Sequence, residues 1–122
     1  MVADQILKIA NKVYPNIRAH YGLGKKEYPP IEVHKNVLVR LSGEPDAEGE
    51  PADAEYDRET NKLFIYSDYN NSIEDVIRSI IHEYVHYLQS GSWMKRYYSM
   101  GYKYGNHPYE VAATKEESNW KM

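Results

Sequence analysis

The chain contains no cysteine among its 122 residues. Disulfide bonds and thiolate metal sites are therefore excluded, so a transition metal would have to be held by histidine, aspartate or glutamate. Long hydrophobic runs are also missing, because no stretch approaches the ~20 apolar residues of a membrane-spanning helix. The formal net charge of −3 gives no reason to expect nucleic acid or an anionic membrane surface as the main partner.

Phenylalanine is scarce, with a single residue against 13 tyrosines, which indicates half-buried surfaces where hydroxyl groups find partners. The length fits one modest core, so we expect a single domain over residues 1–122. The first segment, MVADQILKIANKVY, lacks the basic start and unbroken apolar stretch of a signal peptide. We therefore expect a cytoplasmic protein, with a phage or host-delivered origin left open. The sequence does not indicate an oligomeric state.

Hydrophobic spacing predicts a helix at the amino terminus and short strands after it. Apolar residues recur at helical intervals from Ile6 to Ile17, and Asp4 is a candidate cap. The β-branched content of residues 31–41 predicts one or two strands.

The middle of the chain combines an acidic stretch with a hairpin pattern. Residues 43–55 carry many acids and two prolines, so we expect a loop there. Residues 54–69 contain two strand-like runs around a turn near residues 59–61, which predicts a β-hairpin. The strands together favour a small α+β domain with a short, mostly antiparallel sheet.

A capped amphipathic helix is predicted to follow the hairpin. Ser72 and Asp75 resemble a capping box, and Gly91 can end the helix. At about 100° per residue, His82 and His86 project from roughly the opposite side to an apolar stripe. That stripe comprises Ile73, Val76, Ile77, Ile80, Tyr84 and Leu88, with Ile81 at its edge.

The two histidines belong to the pattern His-Glu-x-x-His at residues 82–86. Imidazoles at positions i and i+4 of a helix lie side by side and can reach one metal ion. Glu83 follows the first histidine, where it can accept the proton of a metal-bound water rather than bind the metal. The sequence therefore predicts a catalytic Zn2+ held by His82 and His86, with Glu83 as general base.

The third ligand is left open by the residues themselves. The spacing that would continue a metzincin motif is absent after His86, which excludes that class. Glu110, on a last helix predicted to run from Pro108 to about Asn119, is a candidate, but it could instead cap that helix behind His107. His107 itself, Glu116 and Glu117 are further candidate ligands.

Two motifs resemble those of the gluzincins, the thermolysin-like zinc peptidases. These are the HExxH motif and the segment GNHPYEVAATKEES, whose fragment Tyr109–Ala113 and short chain are most similar to the minigluzincins. The resemblance implies a minimal zincin-like domain with one catalytic Zn2+ bound by His82, His86 and Glu110. It also implies that Glu83 activates water to hydrolyse a peptide bond.

One position departs from that family pattern. Thr114 stands where related proteins often have an aspartate that orients a ligand histidine, so second-shell support would have to come from elsewhere. Glu117, one turn further along the same face, is the obvious substitute. An oxyanion also needs a donor, and His107, Tyr104 and Tyr109 are candidates among a tyrosine-rich stretch.

Two classes of function follow from these residues. The first is a zinc metalloendopeptidase whose peptide substrate, by analogy with zincins, adds a strand at a sheet edge near residues 62–66. The second is a zinc-stabilised binding or regulatory module without turnover, against which an intact Glu83 argues. A nucleic-acid partner is not expected, since Lys95, Arg96 and Lys103 are few cations in an acidic protein.

Overall fold

The computed structural model describes residues 1–40, 52–89, 99–101 and 108–119. Its α-helices and strands, in chain order, are α1 (Ala3–Tyr21), β1 (Ile31–His34), α2 (Val37–Arg40), β2 (Ala54–Asp57), β3 (Lys62–Tyr66), α3 (Ile73–Leu88) and α4 (Pro108–Asn119), with a 3-10 turn at Ser67–Tyr69. This arrangement confirms the α+β class. None of the helices in these ranges is long and apolar enough to cross a membrane.

The three strands form one mixed sheet in the order β1-β3-β2. A short turn joins β2 and β3, which makes that pair antiparallel, whereas β1 lies on the other side of β3 and runs parallel to it. The prediction of a mostly antiparallel sheet is therefore wrong. The parallel pairing is possible because a long connection separates β1 from β3 in the chain.

The hairpin forms as predicted. Asn61 adopts a positive φ of 54° at the turn, a conformation that asparagine tolerates better than most residues. Its side-chain oxygen accepts a hydrogen bond from the Tyr56 hydroxyl at 2.7 Å, and Asp57 Oδ1 accepts one from the Glu59 N–H at 2.9 Å. These bonds hold the turn of a hairpin in which Tyr56 pairs with Leu63 and Asp57 with Lys62.

Three local predictions differ from the structure. The second candidate strand within residues 31–41 is the helical turn α2, in which the Arg40 N–H bonds to the Asn36 carbonyl and Val37 is buried. The predicted acidic loop extends too far, because β2 begins at Ala54; its residues 43–51 lie outside the described part. The candidate cap Asp4 lies inside the first turn of α1, which begins at Ala3.

The main core lies between one face of the sheet and the helices α1 and α3. Leu63 and Ile65 point into it, while the alternate residues Phe64 and Tyr66 point to the opposite face, as a pleated strand requires. The α1 and α3 helices supply most of the other buried side chains: Ile6, Ala10, Val13, Tyr14, Ile17, Val76, Ile77, Ile80, Ile81, Tyr84 and Val85.

Helix α3 is anchored largely as its sequence predicts. The Ser72 hydroxyl accepts a hydrogen bond from the Asp75 N–H at 3.1 Å, which confirms the cap. The apolar stripe is buried from Val76 to Tyr84, whereas its last residue, Leu88, is partly buried and its first, Ile73, is 56% exposed. The helix ends at Leu88, before Gly91, which lies outside the described residues.

Candidate metal centre

Helices α3 and α4 bring three side chains to one point. His82 and His86 stand one turn apart on α3, and Glu110 reaches both of them from the first turn of α4. The Nε2 atoms of His82 and His86 each lie 2.9 Å from an oxygen of the Glu110 carboxylate, and 3.2 Å from each other. Among the described residues, this is the group that could hold a metal ion.

The outer nitrogens of both rings have acceptors as partners. His82 Nδ1 lies 2.8 Å from Glu117 Oε2, and His86 Nδ1 lies 2.7 Å from Gln89 Oε1. Because these oxygens only accept hydrogen bonds, each Nδ1 must donate. A neutral ring then carries its lone pair on Nε2.

The centre is therefore lined by electron pairs that face one another, and a cation would relieve their repulsion. Its donor atoms, two imidazole nitrogens and a carboxylate, are those of known catalytic zinc sites. Bonds of about 2.0–2.1 Å in a tetrahedron would separate ligand atoms by roughly 3.3 Å. The two Nε2 atoms are 3.2 Å apart, close to this value, and one ligand atom from each of the three residues lies within 4.8 Å of the others, so the group could hold one metal ion.

The same contacts shift the pKa values of His82 and Glu110. Burial opposes the charge of His82, but its hydrogen bonds to Glu110 and Glu117 and the nearby Glu83 raise its pKa to about 9. Burial likewise opposes the charge of Glu110, whose hydrogen bonds to the two histidines lower its pKa to about 2. Without a metal, a proton on His82 thus supplies the cation that the centre needs.

Glu83 lies beside the cluster without belonging to it. Burial raises the pKa of its carboxyl to about 7, although the two histidines and a hydrogen bond from the backbone of Tyr56 favour the charged form. A carboxylate that binds a proton near neutral pH suits a general base. This is the role that the sequence predicts for Glu83.

A cleft of about 900 Å³ opens over the three candidate ligands and Glu83. Residues 52–58, including all of β2, form one wall of it. Arg58 also lines the cleft, and its Nη1 donates to the Gln89 carbonyl at 2.8 Å. Its buried Nη2 has no hydrogen-bond partner within the described parts of the chain.

The candidate third ligands on α4 differ in the side chains that they contact. Glu110 directs its carboxylate at the histidines rather than at its own helix end. Glu116 accepts a hydrogen bond from the Tyr21 hydroxyl at 3.0 Å, away from the cluster. Glu117 binds the outer nitrogen of His82 and so supports a ligand instead of being one. His107 lies outside the described residues.

The remaining predicted site residues fall in different places. Thr114 lines the cleft, but the single Nδ1–H of His82 is taken by Glu117. Tyr109 is half-buried and connects to the site through its backbone carbonyl, which accepts from Gln89 Nε2 at 3.1 Å. Tyr104, a candidate oxyanion donor, lies outside the described residues.

Gln89 is the residue of the site that sequence reasoning missed. It follows the last residue of α3, and its position three residues after His86 puts it on the same side of the helix. The three-residue spacing from His86 is the sequence feature that could have identified Gln89 as part of the site.

Replacing Glu117 with leucine should weaken the binding of a metal ion, with Zn2+ as the probe, about 10- to 100-fold, because His82 loses the group that orients its ring. Zinc affinity can be measured by competition with a chelating dye. Glu116→Leu is the matched control on the same helix, because the Glu116 carboxylate accepts from the Tyr21 hydroxyl, and it should stay close to wild type. A larger loss with Glu116→Leu than with Glu117→Leu would contradict the supporting role of Glu117.

Comparisons of the chain with models of protein families, with curated proteins and with solved structures found no match. The resemblance to the gluzincins therefore rests on the two motifs at residues 82–86 and 106–114. What the fold contributes is that His82, His86 and Glu110 from these separate motifs meet at one point.

Proposed function

We propose that this protein is a zinc metallopeptidase of gluzincin type, built on a minimal zincin-like fold. The observation that carries the proposal is the convergence of His82, His86 and Glu110 at a cleft that Glu83 also lines. A purely structural zinc site has no use for a buried acid beside its ligands. An acid at this position can instead serve a reaction.

Zinc is the metal that we propose for the centre. Two imidazoles and a carboxylate are a borderline donor set, and the chain offers no thiolate. A bound Zn2+ would supply Lewis acidity, which polarises a water molecule and the scissile carbonyl.

Glu83 would serve as the general base and then as the general acid of the reaction. Its carboxylate accepts a proton from the attacking water and can then deliver it to the nitrogen of the departing amine. Burial raises the pKa of this carboxyl to about 7 in the metal-free protein, and the charge of a neighbouring Zn2+ would lower it and favour the carboxylate that accepts the proton. The backbone of Tyr56 hydrogen-bonds to this carboxyl and holds it against the wall of the cleft.

The substrate would bind along β2. The sequence suggested residues 62–66 as the edge, but β3 lies in the middle of the sheet with a neighbour on each side. The Asp53 carbonyl accepts from the Tyr66 N–H, so by alternation the backbone N–H and C=O of Ala54 point away from β3. Among the residues that the structure describes, no strand pairs with this side of β2, so an extended peptide could pair there beside Glu83.

The test is whether the zinc-loaded protein cleaves peptides. Metal analysis of purified protein should give one zinc per chain, and mass spectrometry of a broad peptide library should show cuts that a chelator abolishes and added zinc restores. Iron in place of zinc would contradict the proposed metal. A zinc-loaded protein that leaves every peptide intact would instead favour the zinc-stabilised binding module.

A further inference from the structure

Gln89 connects three parts of the fold at the edge of the metal centre. Its backbone N–H bonds to the carbonyls of Val85 and His86, which ends α3. Its backbone carbonyl accepts a hydrogen bond from Arg58 at 2.8 Å, beyond the end of β2. Its side chain bonds to His86 on one side and to the Tyr109 carbonyl of α4 on the other.

These contacts fix which way the amide of Gln89 faces. The Tyr109 carbonyl can only accept a hydrogen bond, so the NH2 group of Gln89 must point to it. The amide oxygen is then left to face His86 Nδ1 at 2.7 Å. Rotating the amide by 180° would break the bond to α4 and bring two carbonyl oxygens together.

The fixed amide determines how His86 carries its proton. An oxygen at 2.7 Å from Nδ1 requires a hydrogen there, which leaves the lone pair of a neutral ring on Nε2. Without that oxygen, the proton could move to Nε2, where Glu110 Oε1 would accept it at 2.9 Å. A proton at Nε2 would block the atom that faces the metal site.

The same side chain positions the third ligand. Tyr109 directly precedes Glu110, so the bond from Gln89 Nε2 to the Tyr109 carbonyl holds the first turn of α4 against the end of α3. One residue thus controls the ring of one ligand and the backbone next to another.

We propose that Gln89 is a positioning residue that prepares His86 and Glu110 to bind the metal. This inference rests on the proposed zinc site, but not on peptide hydrolysis. Gln89 acts through the two ligands and does not need to touch the metal or the substrate.

The test compares Gln89→Met with wild type. Methionine keeps the length of the side chain and removes both hydrogen bonds, so zinc affinity should fall about 10- to 100-fold. In the zinc-free protein at alkaline pH, the ring 15N shifts of His86 should show a smaller share of rings with the proton on Nδ1. A structural role alone would not move that proton.

Two further variants separate the contributions. Gln89→Glu keeps an acceptor for His86 but loses the donor to Tyr109. His86 should therefore keep its proton on Nδ1, and the loss of zinc affinity should be smaller than in Gln89→Met. Gln5→Met removes an amide that accepts from the Val2 N–H at the start of α1, and should leave both measurements unchanged.

The inference would be overturned if Gln89→Met kept both the zinc affinity and the His86 proton distribution of wild type. If Gln89→Met does not fold, an unchanged proton distribution and zinc affinity in Gln89→Ala would overturn it equally. A wild-type protein that binds no zinc would refute the proposed function, while the proton on His86 could still be read in the zinc-free protein.

Discussion

Replacing Glu83 with glutamine is expected to remove peptide cleavage while leaving zinc in place. Glutamine keeps the size of the side chain but cannot accept a proton at neutral pH, and general-base catalysis contributes roughly 10²- to 10⁴-fold to a rate. The measurement is kcat on a peptide from the library, with bound zinc determined for the same sample. Equal cleavage by the zinc-loaded variant and wild type would exclude Glu83 as the base.

The Glu83→Gln variant should lose activity but gain stability when both it and wild type are free of zinc. Burial raises the pKa of Glu83 from 4.5 to about 7 in the folded protein, so ionisation favours the unfolded chain as the pH rises through this range. Zinc-free Glu83→Gln should therefore be more stable than zinc-free wild type above about pH 7. Below pH 4.5 the difference caused by ionisation should vanish, because the carboxyl is protonated in both states. Urea unfolding at several pH values measures it.

This pair of outcomes distinguishes a catalytic acid from a structural one. Replacing a glutamate that stabilises the fold would lower the free energy of unfolding. Replacing Glu83 should raise it above about pH 7, because the buried charge of Glu83 destabilises the folded state. A loss of activity together with a loss of stability at neutral pH would point to a folding defect instead of a missing base.

Replacing Glu110 with glutamine is expected to abolish the stabilisation that zinc gives to wild type. A ligand present at a hundredfold excess over its Kd stabilises the folded state by about 2.7 kcal/mol. Glutamine removes the anionic oxygens that face both histidines, so the same zinc concentration should leave the variant close to its zinc-free stability. Thermal unfolding with and without zinc measures this difference.

Glu116→Gln is the matched control for that experiment. Glu116 lies on the same helix, but its carboxylate accepts from the Tyr21 hydroxyl rather than facing the histidines. This variant should keep the zinc-dependent stabilisation, even if its zinc-free stability falls. Zinc stabilisation that survives in Glu110→Gln and disappears in Glu116→Gln would refute the proposed ligand set.

Local sequence patterns predicted the parts of this fold that depend on neighbouring residues. The cap at Ser72, the hairpin turn at Asn61 and the start of α4 at Pro108 each follow from short-range chemistry. The failures have a different origin. Val37 is β-branched but lies in a helical turn because that turn buries it against Phe64 and Tyr66, a contact that local propensity does not contain.

By itself, the sequence determined the half of the site that lies on one helix. The spacing of His82, Glu83 and His86 fixes their relation, because an α-helix places residues four apart side by side. Only the tertiary structure decided the other half. Glu110, Glu117 and Glu116 are close neighbours in sequence, yet one faces both histidines, one supports His82 and one binds Tyr21. Their roles depend on how α4 packs against α3 and α1, and this orientation is set by contacts between segments far apart in the chain.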